Sequence, residues 1–357
     1  MIEGLRQRLR ESGPLPVSDY MGHAVSVYYA LRDPFGRKGD FTTAPEISQM
    51  FGELVGLWAA VVWQSLGSPE RFVLAELGPG RGTLMRDALR AAAKLPGFVE
   101  AAEVHLVETS PALRKRQRKT LGDGVAGWHD SPEDLPDGPL ILIANEFFDA
   151  LPVRQYIRRG ERWHERLVTL AGDGQSLAFV EEDAPAHSSL LPDGVRQTAA
   201  EGAIAEIRPE AGRIAAALGR RLADQGGAAL VIDYGHATSA PGDTLQAVKD
   251  HAFHPVLDTP GEADITAHVD FQALAEAAGG SGAAVHGPLP QGTWLRRLGV
   301  EARAAALARA APDQRETVEA ALARLIQPDA MGTLFKVLAL TTPGLPTPPG
   351  FEEQTRP

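Results

Sequence analysis

The chain is 357 residues long, 44% hydrophobic and 23% charged, with a formal net charge of −11 from 46 acidic and 35 basic residues. That length suits one large domain carrying insertions, or two lobes, and the balance is that of a globular protein with a sizeable core. The acidic surplus speaks against a nucleic-acid partner, which needs a concentrated basic face, and the lack of any cysteine excludes disulfides, thiolate metal sites and cysteine nucleophiles.

From the N-terminus, Met1 to Gly13 reads as a short helix of mixed charge without the apolar core of a signal peptide, and Glu3 and Glu11 disfavour a transit peptide. No apolar run approaches the ~20 residues of a membrane span. A cytoplasmic protein that does not enter membranes is the expectation. Residues 18–30 and 46–66 carry apolar side chains at helical spacing, among them Ile47, Met50, Phe51, Leu54, Val55, Trp58 and Val62. A polar loop from Asp33 to Pro45 joins them, so residues 1–67 are expected to form a helical cap.

Strand and helix then alternate through residues 68–152. Phe72 to Leu77 is a short apolar run, Gly78 to Gly82 a turn and Thr83 to Lys94 a helix. Val104 to Glu108 is a second strand, Pro111 to Leu121 a helix, and Leu140 to Asn145 a buried strand. This alternation predicts a doubly wound α/β fold, a parallel sheet with helices on both faces. Residues 153–209 change to an inserted hairpin region, with strands at Gln155 to Arg159, Arg162 to Leu170 and Ser176 to Val180. The second half of the sheet domain is expected over 210–340, with a helix at Ala211 to Ala223 and a strand at Ala228 to Asp233. A long polar insertion at 235–269 follows, then helices at Glu301 to Ala311 and Arg315 to Ile326 and a last strand at Leu334 to Leu340. The Pro-rich tail, 341–357, is expected to be mobile.

The strongest chemical signal is Glu76-Leu-Gly78-Pro-Gly80-Arg-Gly82-Thr83. Glycines at a strand end let the backbone approach a ligand closely and present N–H groups at a helix start. A dinucleotide fingerprint wants its third glycine where Thr83 stands and has no use for an acid at position 76. An acid there suits a cationic ligand such as the methionine end of S-adenosylmethionine. The alternative is a plain tight strand–helix turn.

Glu108 ends the second strand, where a carboxylate accepts from ribose hydroxyls in nucleoside-binding sheets; a solvated cap of the helix opened by Ser110 and Pro111 is the other reading. Trp128-His129-Asp130 follows a third strand. Asp130 could serve an adenine amino group and Trp128 flank the ring, or the segment is a surface turn. Asn145-Glu146-Phe147-Phe148-Asp149 lies at the carboxyl end of a central strand, the side that faces the ligand crevice of an open sheet. Its acids could orient a guanidinium through planar charged hydrogen bonds; a helix cap with packing aromatics is the plainer alternative.

The segments Gly39 to Gln49, Glu76 to Gly82, Asn145 to Pro152, Val231 to His236 and Gly332 to Val337 together resemble the family of the mitochondrial complex I assembly-factor arginine methyltransferase and its bacterial relatives. They stand in that family's order over residues 14 to about 340. The resemblance implies a seven-stranded class I methyltransferase sheet whose last strand is antiparallel, S-adenosylmethionine as cofactor, and a protein substrate presenting an arginine, such as a subunit of respiratory complex I. It places Glu76, Gly78, Gly80 and Glu108 at the cofactor; Gly82, Asp130 and Asn145 join that set as candidates from the position of their own segments. Glu146, Asp149 and Glu46, with the Gly39 to Ser48 loop, would lie near the acceptor. Ala44 stands where many relatives carry serine, leaving Pro45 and Glu46 in place.

Glu46 has a second reading, as the third helical residue of a capping box begun by Thr43. Asp233, His236, Asp264 and His268 could form a general base or a metal site, but their spacing matches no standard ligand pattern, so no metal is expected. A small-molecule methyltransferase and a non-catalytic assembly protein that keeps the cofactor fold are the rival functions; Thr83 and Glu76 disfavour a nicotinamide oxidoreductase. Homo-oligomerisation stays open.

Overall fold

A computed structural model describes residues 2–31, 42–186 and 188–352. It divides into two units, one formed by Thr42–Phe148, Arg213–Ala237 and Phe271–Pro357, the other by Met1–Phe41, Asp149–Gly212 and Thr238–Asp270.

The first unit is built on a sheet. Seven of that sheet's eight strands belong to this unit: β1 (Phe72–Leu77), β2 (Ala102–Val107), β3 (Gly127–His129), β4 (Leu140–Asn145), β5 (Gly227–His236), β6 (Ala284–Pro290) and β7 (Phe335–Thr341). They run in the spatial order β6-β7-β5-β4-β1-β2-β3. The pairs β1–β2, β1–β4, β2–β3 and β4–β5 are parallel, whereas β7 is antiparallel to both β5 and β6. The last strand is therefore antiparallel, as expected. Every residue of β1 and β4 is buried, the mark of central strands covered on both faces.

Helices α1 (Gln49–Ser65), α2 (Thr83–Ala92) and α3 (Pro111–Leu121) belong to this unit. Phe51, Val55 and Trp58 of α1 share one core with Leu74, Ile141, Ile143, Leu230, Ile232 and Val337 of the sheet. Two glycines let α1 meet α2 at backbone distance: a Cβ on Gly56 would stand 2.2 Å from the Ala88 carbonyl oxygen, and one on Gly52 would stand 2.8 Å from Asp87 Cβ. Buried Glu53 of the same helix accepts from Nε and Nη2 of Arg303, at 2.7 and 2.9 Å, and from Nη2 of Arg90 at 3.0 Å.

The second unit holds the helices Ile2–Ser12 and Val17–Leu31. Its antiparallel sheet joins Leu15–Pro16, Arg154–Arg159, Arg162–Leu170, Leu177–Pro185 and Ile204–Ile207. The hairpins expected after residue 153 are thus present, with a longer third strand.

Several boundaries differ from the sequence reading. The helix expected over 46–66 breaks at Ser48, whose extended backbone (φ −160°, ψ 139°) and side-chain bond from the Met50 amide start α1 afresh. The cap expected over 1–67 is divided, since residues 1–41 fall in one unit and α1 in the other. The 235–269 insertion is not irregular: Gln246–Lys249, Ala252–His254 and Asp264–Thr266 form a three-stranded sheet, its strands too short to register as periodic runs. Strand β6 was not expected, because Gly287, Pro288 and Pro290 are strand breakers that an edge strand tolerates. The tail, expected to be mobile, is docked through residue 350. Arg297 Nη1 donates to the Gly350 carbonyl at 2.9 Å, Trp294 Nε1 donates to that of Pro349 at 3.3 Å, and Phe351 is buried. Residues 353–357 lie outside the described residues, as do Gly39, Asp40 and Phe41 of the N-terminal loop.

Candidate functional site

The carboxyl ends of β1, β2 and β4 lie side by side and carry Glu76, Glu108 and Asn145 with Glu146. The turn after β1 explains its three glycines. Gly78, Gly80 and Gly82 have φ of +59°, +51° and +78°, values that cost other residues strain. At Gly78 a side chain would also press Phe147, whose Cδ2 stands 3.2 Å from where a Cβ would sit. The Gly78 amide donates to the Val107 carbonyl at 3.0 Å, locking the turn to β2.

Glu76 is buried, and its Oε2 has no hydrogen-bond partner among the described residues. Burial pushes its carboxyl up to about 8, with the Met85 amide of α2 pulling the other way. On the neighbouring strand Asn145 is buried too, and its Oδ1 also lacks a partner among the described residues. Two unmet acceptors at the ends of two paired strands call for a donor-rich, cationic ligand group. The ammonium of an S-adenosylmethionine amino-acid end meets that description, and the left-handed glycine turn leaves the backbone open beside it. The residues present therefore fit this cofactor.

Glu108 is buried behind β2. Its Oε1 accepts from the Ser110 amide at 2.8 Å and its Oε2 from Gln117 Nε2 at 3.2 Å. Burial raises its carboxyl, while those donors favour the charged form. It is thus a held carboxylate and not the solvated cap of the plainer reading. Asp130 stands apart from this set. Its side chain is 78% exposed and bonded at 2.6 Å to Arg114, which also donates to the Glu108 carbonyl at 2.6 Å. A solvent-facing, ion-paired acid has little to offer a buried ring.

Glu146 has φ +50°, a left-handed backbone rare outside glycine. Its turn is stitched to β5 on both sides, because the Glu146 amide donates to the Ile232 carbonyl at 2.9 Å and the Phe148 amide to Asp233 Oδ2 at 3.0 Å. The second oxygen of Asp233 accepts from the Tyr234 amide at 2.9 Å. Asp233, fully buried, ties the backbone of both segments together here. The strained turn aims Glu146 Oε1 at the Ala44 amide (3.2 Å) and Asn145 Nδ2 (3.3 Å).

That contact brings in Glu46. Thr43 makes no side-chain cap, so the capping-box reading fails. Glu46 Oε1 instead accepts from Thr83 Oγ1 at 2.6 Å, and its Oε2 lies 3.7 Å from Arg81 Nη1, both at the glycine turn. The sequence carried no local sign of this pairing across 37 residues. Asp149, three residues after Glu146, lies in the other unit. There it is buried, its carbonyl accepts from the Ala267 amide at 3.2 Å, and its negative charge helps raise the Tyr29 phenol well above its ordinary range, after burial and Asp264. Of the two aromatics between them, Phe148 is core and Phe147 lies along Gly78.

Residues 54–289 match a protein family described as "Putative S-adenosyl-L-methionine-dependent methyltransferase". A curated relative, the "Protein arginine methyltransferase NDUFAF7 homolog, mitochondrial" of Drosophila melanogaster, is 39% identical over 95% of this chain and 84% of its own length. The human "Protein arginine methyltransferase NDUFAF7, mitochondrial" is 35% identical over 95% of this chain and 83% of its own. Among solved structures, a Burkholderia thailandensis protein crystallised bound to S-adenosyl-homocysteine superposes with a TM-score of 0.84 at 28% identity, covering 98% of this chain and 93% of that one. The relatives' names also correct one expectation. Cytoplasmic placement, drawn from the character of the first thirteen residues, is overturned by relatives that are named mitochondrial; a compartment is addressed by recognition signals and not by fold or composition.

Proposed function

The chain belongs to the S-adenosylmethionine-dependent methyltransferase family of these relatives, and from that premise we propose that it methylates an arginine of a protein substrate. The observation that carries the cofactor half is the pair of unmet buried acceptors, Glu76 Oε2 and Asn145 Oδ1, beside a left-handed glycine turn. The arginine half rests on the names of the relatives and on the two carboxylates, Glu46 and Glu146, tied to the same turn and strand ends.

The bound cofactor supplies an electrophilic methyl on a sulfonium. The protein's own part is positioning and charge. Glu76 and Asn145 hold the amino-acid end, Glu108 accepts from the ribose, and Gly78, Gly80 and Gly82 keep the backbone close. Glu146 and Glu46 face a guanidinium with negative charge and orient its nitrogen for in-line approach. A strong base would be unnecessary: as the nitrogen gained the methyl and the thioether left, the proton it shed would pass to water or to an adjacent carboxylate. Asp149, seated by Tyr29, is left out of this set.

Labelled S-adenosylmethionine, the purified protein and arginine-bearing protein acceptors test the proposal, with amino-acid analysis of the label. Label in methylarginine supports it. Label in a small molecule alone, or none anywhere, overturns it in favour of a small-molecule enzyme or a binding scaffold respectively.

A further inference from the structure

Helix α3 is densely charged, yet Gln117 on it is completely buried. Its amide makes three hydrogen bonds, each to a different segment of the cofactor cradle. Nε2 donates to the Gly80 carbonyl at 2.8 Å and to Glu108 Oε2 at 3.2 Å, while Oε1 accepts from Trp128 Nε1 at 2.9 Å. The partners are the glycine turn after β1, the acid after β2 and the indole on β3. We propose that Gln117 is the positioning residue of the cradle, setting the Glu108 carboxylate and the glycine-turn backbone at a fixed separation so that the ribose meets a preformed acceptor.

This rests on the reading of Glu108 as the ribose carboxylate. The chemistry explains the residue type. A primary amide offers two donors and an acceptor in one plane, and all three directions are used here. A carboxylate at 117 would lose both donors and face Glu108 with like charge. An apolar side chain would take from the buried Gly80 oxygen its Gln117 donor, which is costly, and from the Trp128 N–H its Gln117 acceptor. The Gly80 carbonyl has reason to need such an anchor, because a residue at φ +51° has left the helical and extended basins and turns its peptide away from its neighbours. Trp128 is held on a second side by Arg118, whose guanidinium carbon lies 4.4 Å from the ring centroid. The indole is thereby fixed in place by residues of one helix, at the edge of the same cradle.

The test compares S-adenosylhomocysteine with its 2′-deoxy analogue by calorimetry, on the wild type, Gln117→Met, Gln117→Glu, Glu108→Ala and the double variant Gln117→Met with Glu108→Ala. Gln117→Met, near in volume but without polar atoms, should weaken S-adenosylhomocysteine at least about tenfold, the scale of a lost charge-assisted hydrogen bond. It should also shrink the preference for the ribose over the deoxyribose. In the double variant the two losses should combine to less than their product, because one residue acts through the other. Measured against the wild type at the same pH, so that titration of Glu76 and Glu108 cancels, the deficit of Gln117→Glu should shrink as pH falls from 8 to 6, when the new acid takes a proton and regains a donor. Independent losses that multiply, or an undiminished ribose preference in Gln117→Met, would overturn the proposal. If Glu108→Ala alone keeps the full ribose preference, the ribose reading itself fails and takes the proposal with it, a result seen without any Gln117 variant. Failure of both Gln117 substitutions to fold, judged by thermal melts, would make the residue a core element only and equally overturn it.

Discussion

Glu76→Gln separates a ligand-binding acid from a structural one. Burial moves the Glu76 carboxyl from its ordinary 4.5 to about 8, which corresponds to about 5 kcal/mol against the ionised form in the ligand-free protein, at ~1.4 kcal/mol per pH unit. The folded chain therefore binds a proton here between pH 4.5 and 8 that the unfolded chain does not. Stability of the ligand-free protein falls as pH rises through that window. Glutamine keeps the shape and removes the charge, so the ligand-free variant should lose this slope and match or exceed the wild type at pH 8. Cofactor binding should move the other way. An ammonium favours the ionised acid, so wild-type affinity for S-adenosylhomocysteine should tighten between pH 6 and 8. The variant should be flat across that range and weaker by about 2–3 kcal/mol, or ~30- to 150-fold, as for a lost charge-assisted bond. Denaturant melts from pH 5 to 9 without ligand, and calorimetry over the same range, measure both. A variant that keeps the wild-type pH slope, or binds as tightly as wild type, refutes the reasoning.

Other perturbations follow the same geometry. Glu108→Ala should cost cofactor affinity ~1.5–3 kcal/mol with the melting profile largely kept; calorimetry that shows unchanged affinity would remove it from the cradle. Glu146→Gln should leave cofactor binding nearly intact while methyl transfer to the arginine acceptor drops about 30- to 1,000-fold, on the order of 2–4 kcal/mol of barrier; a wild-type rate in a single-turnover assay would leave Glu46 as the remaining acceptor acid. Gly56→Ala, whose Cβ would collide with the Ala88 carbonyl, should destabilise by ~1–3 kcal/mol or more through separation of α1 and α2, read as a lower denaturation midpoint. His105, whose Nδ1 lies 2.9 Å from His129 Nε2, is held below the ordinary histidine range by burial and by that neighbour. The unfolded chain then protonates first, so its contribution to stability should decline as pH falls below about 6.5. His105→Gln should flatten that acid flank in thermal melts, and an unaltered flank would count against it.

The residues by themselves determined the parts that depend on neighbours in the chain. Short apolar runs ended at glycine or a polar residue, and the strands Phe72–Leu77 and Leu140–Asn145 follow those runs to the residue. The glycine spacing after Glu76 was legible because φ above zero is a property of one residue and its turn. So was the identity of the fold, since alternating strands and helices leave few topologies once parallel pairing is required. Elements whose cues conflict were not legible. Strand β6 carries two prolines and a glycine, and its place beside β7 is a matter of pairing, not of propensity. The docking of the tail likewise depends on Trp294 and Arg297, more than fifty residues away.

What only the tertiary structure decided was which residues of the right type meet. Glu46 looks like a capping acid until Thr83 and Arg81 are seen beside it. Glu146 and Asp149 are three positions apart and alike in sequence, yet a left-handed backbone held to β5 turns the first towards Ala44, and the second is buried near Tyr29 in the other unit. Asp130 ends a strand as Glu108 does, but one faces solvent and the other is enclosed. Gln117 sits in a run of lysines and arginines with nothing to mark it. A hydrogen bond between distant segments depends on side-chain direction to within a few tenths of an ångström, and that is set by packing, which a linear pattern of residue types does not record.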